Sequence, residues 1–243
     1  MSVIFARFRK PRRCPMPERK HIYPYILLGV SLVVLAAIVF DTAIGKAGLI
    51  ANPVVLAVAT LMTRYGEADW CLVISFILVL KASAFARLST TLKDRCYGVF
   101  ISTIGLYAFS SIALSGLASN LLKRMFGRGR PGQFGLDGAF NFTPFASNSQ
   151  FESFPSGHAT TMGAVLMVLF LIMPKYRLTF LVLALWFGMT RVVVGAHYPS
   201  DVVAGLCFGA GFAWLVARLF ACYGLGFRLD TKGMPILRQK LLK

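Results

Sequence analysis

Six apolar runs divide the chain, at residues 24–44, 70–86, 97–119, 157–173, 178–196 and 202–222. Each approaches the length of about 20 residues that carries a helix across a bilayer core. The pattern predicts an all-α integral membrane protein, a six-helix transmembrane bundle. A shorter pattern follows Asn52-Pro53, a good cap and first-turn pair for a helix. Val54, Val58, Leu61, Met62 and Tyr65 then recur at helical spacing. Residues 54–65 are too few to span. They predict an interfacial helix on the outer leaflet, with packing against the bundle as the alternative. After the third run, Gly127, Gly129 and Pro131 break the helix. Residues 132–154 then form an outer loop carrying Phe134, Phe140, Phe142, Phe145, Phe151 and Phe154. Rings at that density either pack back onto the bundle or touch lipid.

Composition agrees with a membrane protein. Only 14% of residues are charged, against roughly 25% in a soluble domain. No second domain and no internal repeat is visible. The expected division is a basic cytoplasmic tail 1–23, a six-span domain 24–222 and a second basic tail 223–243. The stretch before the first run is rich in Arg, Lys and Pro, and no small-residue cleavage site follows closely. The first run therefore reads as a retained helix.

The net charge of +17 raises nucleic-acid binding, but the placement of the charges excludes it. Basic residues gather before Tyr23, between Arg87 and Arg95, at Lys175 and Arg177, and from Arg218 to Lys243. With six spans, these four segments share one side, which the positive-inside rule makes the cytoplasm. The tails are then suited to anionic lipid head groups. No nucleic acid and no obligate protein partner is implied. The other face carries Lys46, Arg64, Lys123, Arg124, Arg128, Arg130 and Arg191. Most of these lie in or between the motifs described next, where topology alone disfavours positive charge. Lys81, inside a span, reads as snorkelling, and His21 in the tail has no assigned role. The five cysteines are scattered, with no metal-ligand spacing; neither a disulfide nor a zinc site is expected.

Three clusters carry the chemistry. Lys123 with Arg130-Pro131 offers a point charge and a fork matched to phosphate oxygens; alone, such a pair would often just snorkel. Pro155-Ser156-Gly157-His158 precedes an apolar run. Ser is a good helix cap, helix-start N–H groups bind anions, and Gly157 lets a phosphate approach the backbone. An ordinary cap is the alternative, but His158 is one of only three histidines. Arg191 lies inside an apolar run, where an Arg costs at least about 2.5–3.5 kcal/mol to insert and marks a functional site by default. His197 and Asp201 stand four apart, so the carboxylate can reach the imidazole and fix its tautomer; a structural capping pair is the alternative.

In this order, K-x6-R-P, P-S-G-H and R-x5-H-x3-D resemble the signature of the type 2 phosphatidic acid phosphatase superfamily. Thr190 stands where that family usually has Ser before the Arg, so a hydroxyl is kept. The resemblance implies that His197, held by Asp201, attacks phosphorus and forms a phosphohistidine. It implies that His158 protonates the leaving alkoxide and then activates water. Lys123, Arg130, Ser156, Gly157 and Arg191 would hold the phosphoryl oxygens. No carboxylate cluster for Mg²⁺ is visible, since Glu67, Asp69, Asp137 and Glu152 are scattered; no metal and no cofactor is expected. The size and compact build point, by the same resemblance, to a membrane lipid phosphate as substrate, lipid A 1-phosphate first. Phosphatidylglycerophosphate and undecaprenyl pyrophosphate are the alternatives. The expected place is a bacterial inner membrane, with the site facing the periplasm and both termini cytoplasmic. An anionic-lipid transporter is the competing class, but its cations should line a path at mid-depth. Vanadate-dependent haloperoxidases share the signature and are soluble.

Overall fold

In a computed structural model of the chain, residues 17–48 and 52–238 are described. Most of the predicted tail 1–23, with Cys14, lies outside them, as do residues 49–51 and 239–243.

The first run forms α1 (Arg19–Ala36), continues through a π-helical turn at Ala37–Asp41, and ends in α2 (Thr42–Ala47). Then come α3 (Pro53–Thr63), α4 (Ala68–Leu88) and the long α5 (Leu92–Phe126). A loop with the short α6 (Phe134–Asp137) leads to α7 (Gly157–Ile172), α8 (Arg177–Val193) and α9 (Pro199–Cys222). Among the described residues, five helical segments are long and apolar enough to cross a membrane, and α7, with 16 residues, is shorter. The helices expose large apolar side chains such as Leu27, Phe76, Leu117, Trp186 and Leu215. A bilayer-facing surface requires this, because the backbone polar groups are already paired inside each helix.

The axis of the bundle is α9, which packs along α7 and against α1, α5 and α8. It meets α7 through small residues. A Cβ at Gly209 would fall 2.0 Å from the Thr160 carbonyl oxygen, and one at Gly163 would fall 2.2 Å from that of Leu206. Only hydrogen fits there, so the two backbones touch, as small-residue helix pairs do in membranes. The contact brings the start of α7 beside the start of α9, where the Ser156 N–H donates to the Asp201 carbonyl at 3.0 Å.

Two features were not foreseen. After α9 the chain turns into an antiparallel hairpin, β1 (Phe227–Leu229) with β2 (Pro235–Leu237), and pairs Phe227 with Leu237. Phe227 is fully buried and meets Tyr107 edge-on, with ring centroids 4.8 Å apart. The segment after α9 thus closes that end of the core. Cys222 is disulfide-bonded, contrary to the expectation of no disulfide, whereas Cys71, Cys96 and Cys207 are free. Spacing along a chain does not reveal cysteines that folding brings together.

Helix α3 packs against α8 and exposes Val54, Val55, Val58 and Leu61 on its other side. Of the six loop phenylalanines, Phe134, Phe151 and Phe154 are partly buried, whereas Phe140, Phe142 and Phe145 are exposed.

Candidate active site

The three clusters meet at one end of the bundle. Helix α5 ends at Gly127, whose φ of 60° and backbone contact with Thr143 admit no side chain: a Cβ would lie 1.8 Å from the Thr143 oxygen. The chain turns there, leaving Lys123 in the last helical turn and Arg130 in the loop beyond. The Lys123 ammonium reaches the start of α7 so closely that a Cβ on Gly157 would sit 3.1 Å from it. Ser156 caps α7, its hydroxyl accepting from the Ala159 N–H at 3.5 Å. His158 stands in the first turn, against Gly66, whose absent side chain leaves room for the ring. The charges of Arg191, His197, Lys123 and Arg130 all act on His158. All eight predicted site residues are therefore grouped at the meeting point of α5, α7, α8 and α9.

Arg191 lies in the last turn of α8 and donates to the Thr63 hydroxyl at the end of α3, at 2.8 Å. The Nε atoms of Arg191 and Arg130 are buried without a hydrogen-bond partner among the described residues. Buried donors of this kind cost free energy unless something accepts from them. An anion with several oxygens placed among Lys123, Arg130, Arg191 and the α7 start would satisfy them.

His197 is buried in the turn between α8 and α9. Burial disfavours its charged form and, with the repulsion of Lys123 and Arg191, outweighs the attraction of Asp201, so its pKa falls below the ordinary histidine value. The neutral imidazole, with one ring nitrogen bearing a lone pair, is thereby favoured.

The pair His197 and Asp201 differs from expectation. Nδ1 of the ring is 3.8 Å from Asp201 Oδ2, too far for a hydrogen bond. Asp201 is occupied elsewhere. Its Oδ2 accepts from the Ser153 hydroxyl at 2.6 Å and from the Tyr198 N–H at 2.9 Å. Its Oδ1 accepts from Arg128 at 2.6 Å. Arg128 is also buried and binds Asp41 Oδ2 at 2.7 Å, the Ala139 carbonyl at 2.8 Å and the Ser200 hydroxyl at 2.7 Å. The Tyr198 ring lies 4.6 Å from its guanidinium. Asp41, Arg128, Ser153 and Ser200 form a buried layer behind the site that the motifs did not reveal. Asp41 and Asp201 do converge, but on a guanidinium.

A family model described as the PAP2 superfamily matches residues 104–222. Lipid A 1-phosphatase of Rhizobium etli is 42% identical over 88% of this chain and 91% of its own. The chain belongs to the PAP2 superfamily. Phosphatidylglycerophosphatase B of Bacillus subtilis is 27% identical over 79% of this chain and 89% of its own. A crystal structure of a transmembrane PAP2 phosphatidylglycerolphosphate phosphatase from Bacillus subtilis has the same fold. It covers 80% of this chain and 91% of its own at a TM-score of 0.53 and 24% identity. This PAP2 protein is accordingly a membrane-embedded phosphatase, and its lipid-phosphatase relatives match nearly end to end.

Proposed function

We propose that this enzyme removes the 1-phosphate of lipid A at the periplasmic face of a bacterial inner membrane, through a phosphohistidine on His197. One observation carries the substrate: the similarity to lipid A 1-phosphatases runs over 88% of the chain rather than over the motifs alone. The mechanism rests on the grouping of two imidazoles and three cations. His197 Nε2 attacks phosphorus and the bond to the leaving sugar oxygen breaks. His158 gives that oxygen its proton, then draws one from the water that hydrolyses the phosphohistidine. Lys123, Arg130, Arg191, Ser156 and the Gly157 N–H hold the three phosphoryl oxygens as charge redistributes.

Phosphatidylglycerophosphate is the second reading, favoured by the relative from Bacillus subtilis that matches 79% of the chain. The deciding experiment is phosphate release by purified protein in detergent with EDTA. The panel is lipid A, phosphatidylglycerophosphate and undecaprenyl pyrophosphate. Release from lipid A in chelator, blocked by vanadate, is the expected result. Preference for phosphatidylglycerophosphate selects the second reading. Activity that needs added Mg²⁺ rules out the mechanism.

A further inference from the structure

We propose that Ser153 is a positioning residue. Its hydroxyl carries the hydrogen bond that His197 and Asp201 do not make directly, and so decides which ring nitrogen attacks. Ser153 is fully buried. Its Oγ lies 2.6 Å from Asp201 Oδ2 and 3.5 Å from His197 Nδ1, closer to the ring than the carboxylate is at 3.8 Å. A hydroxyl has one proton and two lone pairs, and an ionised carboxylate only accepts. The short contact to Asp201 therefore takes the proton. Towards His197 the hydroxyl has only a lone pair to offer. Nδ1 must then carry the ring proton, and Nε2 is left bare.

Asp201 is not free to do this itself. Arg128 holds one oxygen, and Ser153 and the Tyr198 N–H hold the other. The loop that delivers Ser153 is pinned by the same residue, because the Ser153 N–H donates to the Arg128 carbonyl at 3.0 Å. Asp41, from the first helix, anchors the Arg128 guanidinium in turn.

The consequence falls on the covalent step, and the inference rests on the phosphohistidine reading. The Nε2 lone pair forms the N–P bond while the P–O bond to the alkoxide breaks, and the alkoxide takes its proton from His158. Nδ1 keeps its proton throughout. The positive charge that develops on the ring faces the Ser153 oxygen, backed by the Asp201 carboxylate. When water attacks, the P–N bond breaks and the electron pair returns to Nε2.

The test uses the full chain in detergent micelles, as Ser153→Ala and Ser153→Thr, with thermal melting to confirm folding. Radiolabelled lipid A is mixed with enzyme and quenched in alkali, where phosphohistidine survives. Ser153→Ala is expected to form the intermediate roughly 10- to 100-fold more slowly, the scale of one lost hydrogen bond, with KM little changed. Ser153→Thr keeps the hydroxyl and is expected to recover most of the rate. The chain has three histidines, so ring-nitrogen NMR of histidine-labelled protein reads the His197 tautomer directly. The Nδ1–H form is expected in the wild type and a mixture in Ser153→Ala. An unchanged tautomer together with a wild-type rate in Ser153→Ala overturns the inference. Absence of phosphohistidine in the wild type overturns the covalent reading instead, while the tautomer measurement still decides the role of Ser153.

Discussion

Arg128 directs its whole guanidinium into the protein, onto Asp41, Asp201, Ser200 and the Ala139 carbonyl. Removing one partner of a buried ion pair leaves an uncompensated charge, at a cost of about 3–5 kcal/mol. Arg128→Ala should lower stability by that order in chemical denaturation. Asp41→Asn, which keeps a hydrogen-bond acceptor, should cost less. A loss below about 1 kcal/mol in Arg128→Ala, the range of a surface pair, would show that the layer is not structural. For His197, the sign follows from burial: a lowered pKa keeps the ring neutral below the ordinary value of about 6.5. The acid limb of kcat/KM should therefore lie below that pH. A profile already falling at neutral pH would contradict it. At this scale the sequence showed the residues that the fold groups into the candidate site, because His, Arg and Lys are conspicuous in an apolar chain. It did not show the layer behind them. Arg128 meets Asp41 across 87 residues and Asp201 across 73, and Ser153 meets Asp201 across 48. No local spacing encodes those pairings. Asp41 did leave a trace, as a carboxylate near the end of an apolar run.

The helices are the part most legible in advance, since a bilayer enforces long apolar runs and each run became helical, with α5 (Leu92–Phe126) overrunning the expected 97–119 by five and seven residues. The hairpin at β1 and β2 escaped notice because three-residue strands carry no periodicity of their own. The decisive element pair is α7 with α9, and its close approach depends on glycine. Gly209→Ala would drive a methyl group into the Thr160 carbonyl, separating Ser156 and Gly157 from His197. Loss of activity and of thermal stability is expected. Gly211→Ala on the same helix meets nothing within 4 Å, and should behave as wild type. Equal behaviour of the two variants in a melt would show that the helices can separate without harm.

Across the whole molecule the bundle has two different ends. The α7–α8 turn, the hairpin and the start of α1 share one end, where a Cβ on Gly233 would sit 3.2 Å from Pro17. The candidate-site residues share the other. If the basic end is cytoplasmic, a Cys at Ser147 should react with an impermeant maleimide in intact spheroplasts, and a Cys at Thr231 only after lysis, both in a background without native cysteines. The reverse pattern would place the chemistry inside the cell.

The 16 residues of α7 rise only about 24 Å, whereas a hydrocarbon core is about 30 Å thick. The 35-residue α5 beside it rises about 52 Å. The start of α7 is level with the last turn of α5, where Lys123 meets Gly157, so the shortfall falls at the opposite end. There β2 packs against α7, and all 16 residues of α7 are buried or partly buried, so protein and not lipid fills the gap. The hairpin is then a plug under a short helix: Phe227→Ala, which empties a fully buried ring site, should cost about 3–5 kcal/mol in a melt, and an unchanged midpoint would show that the plug is dispensable.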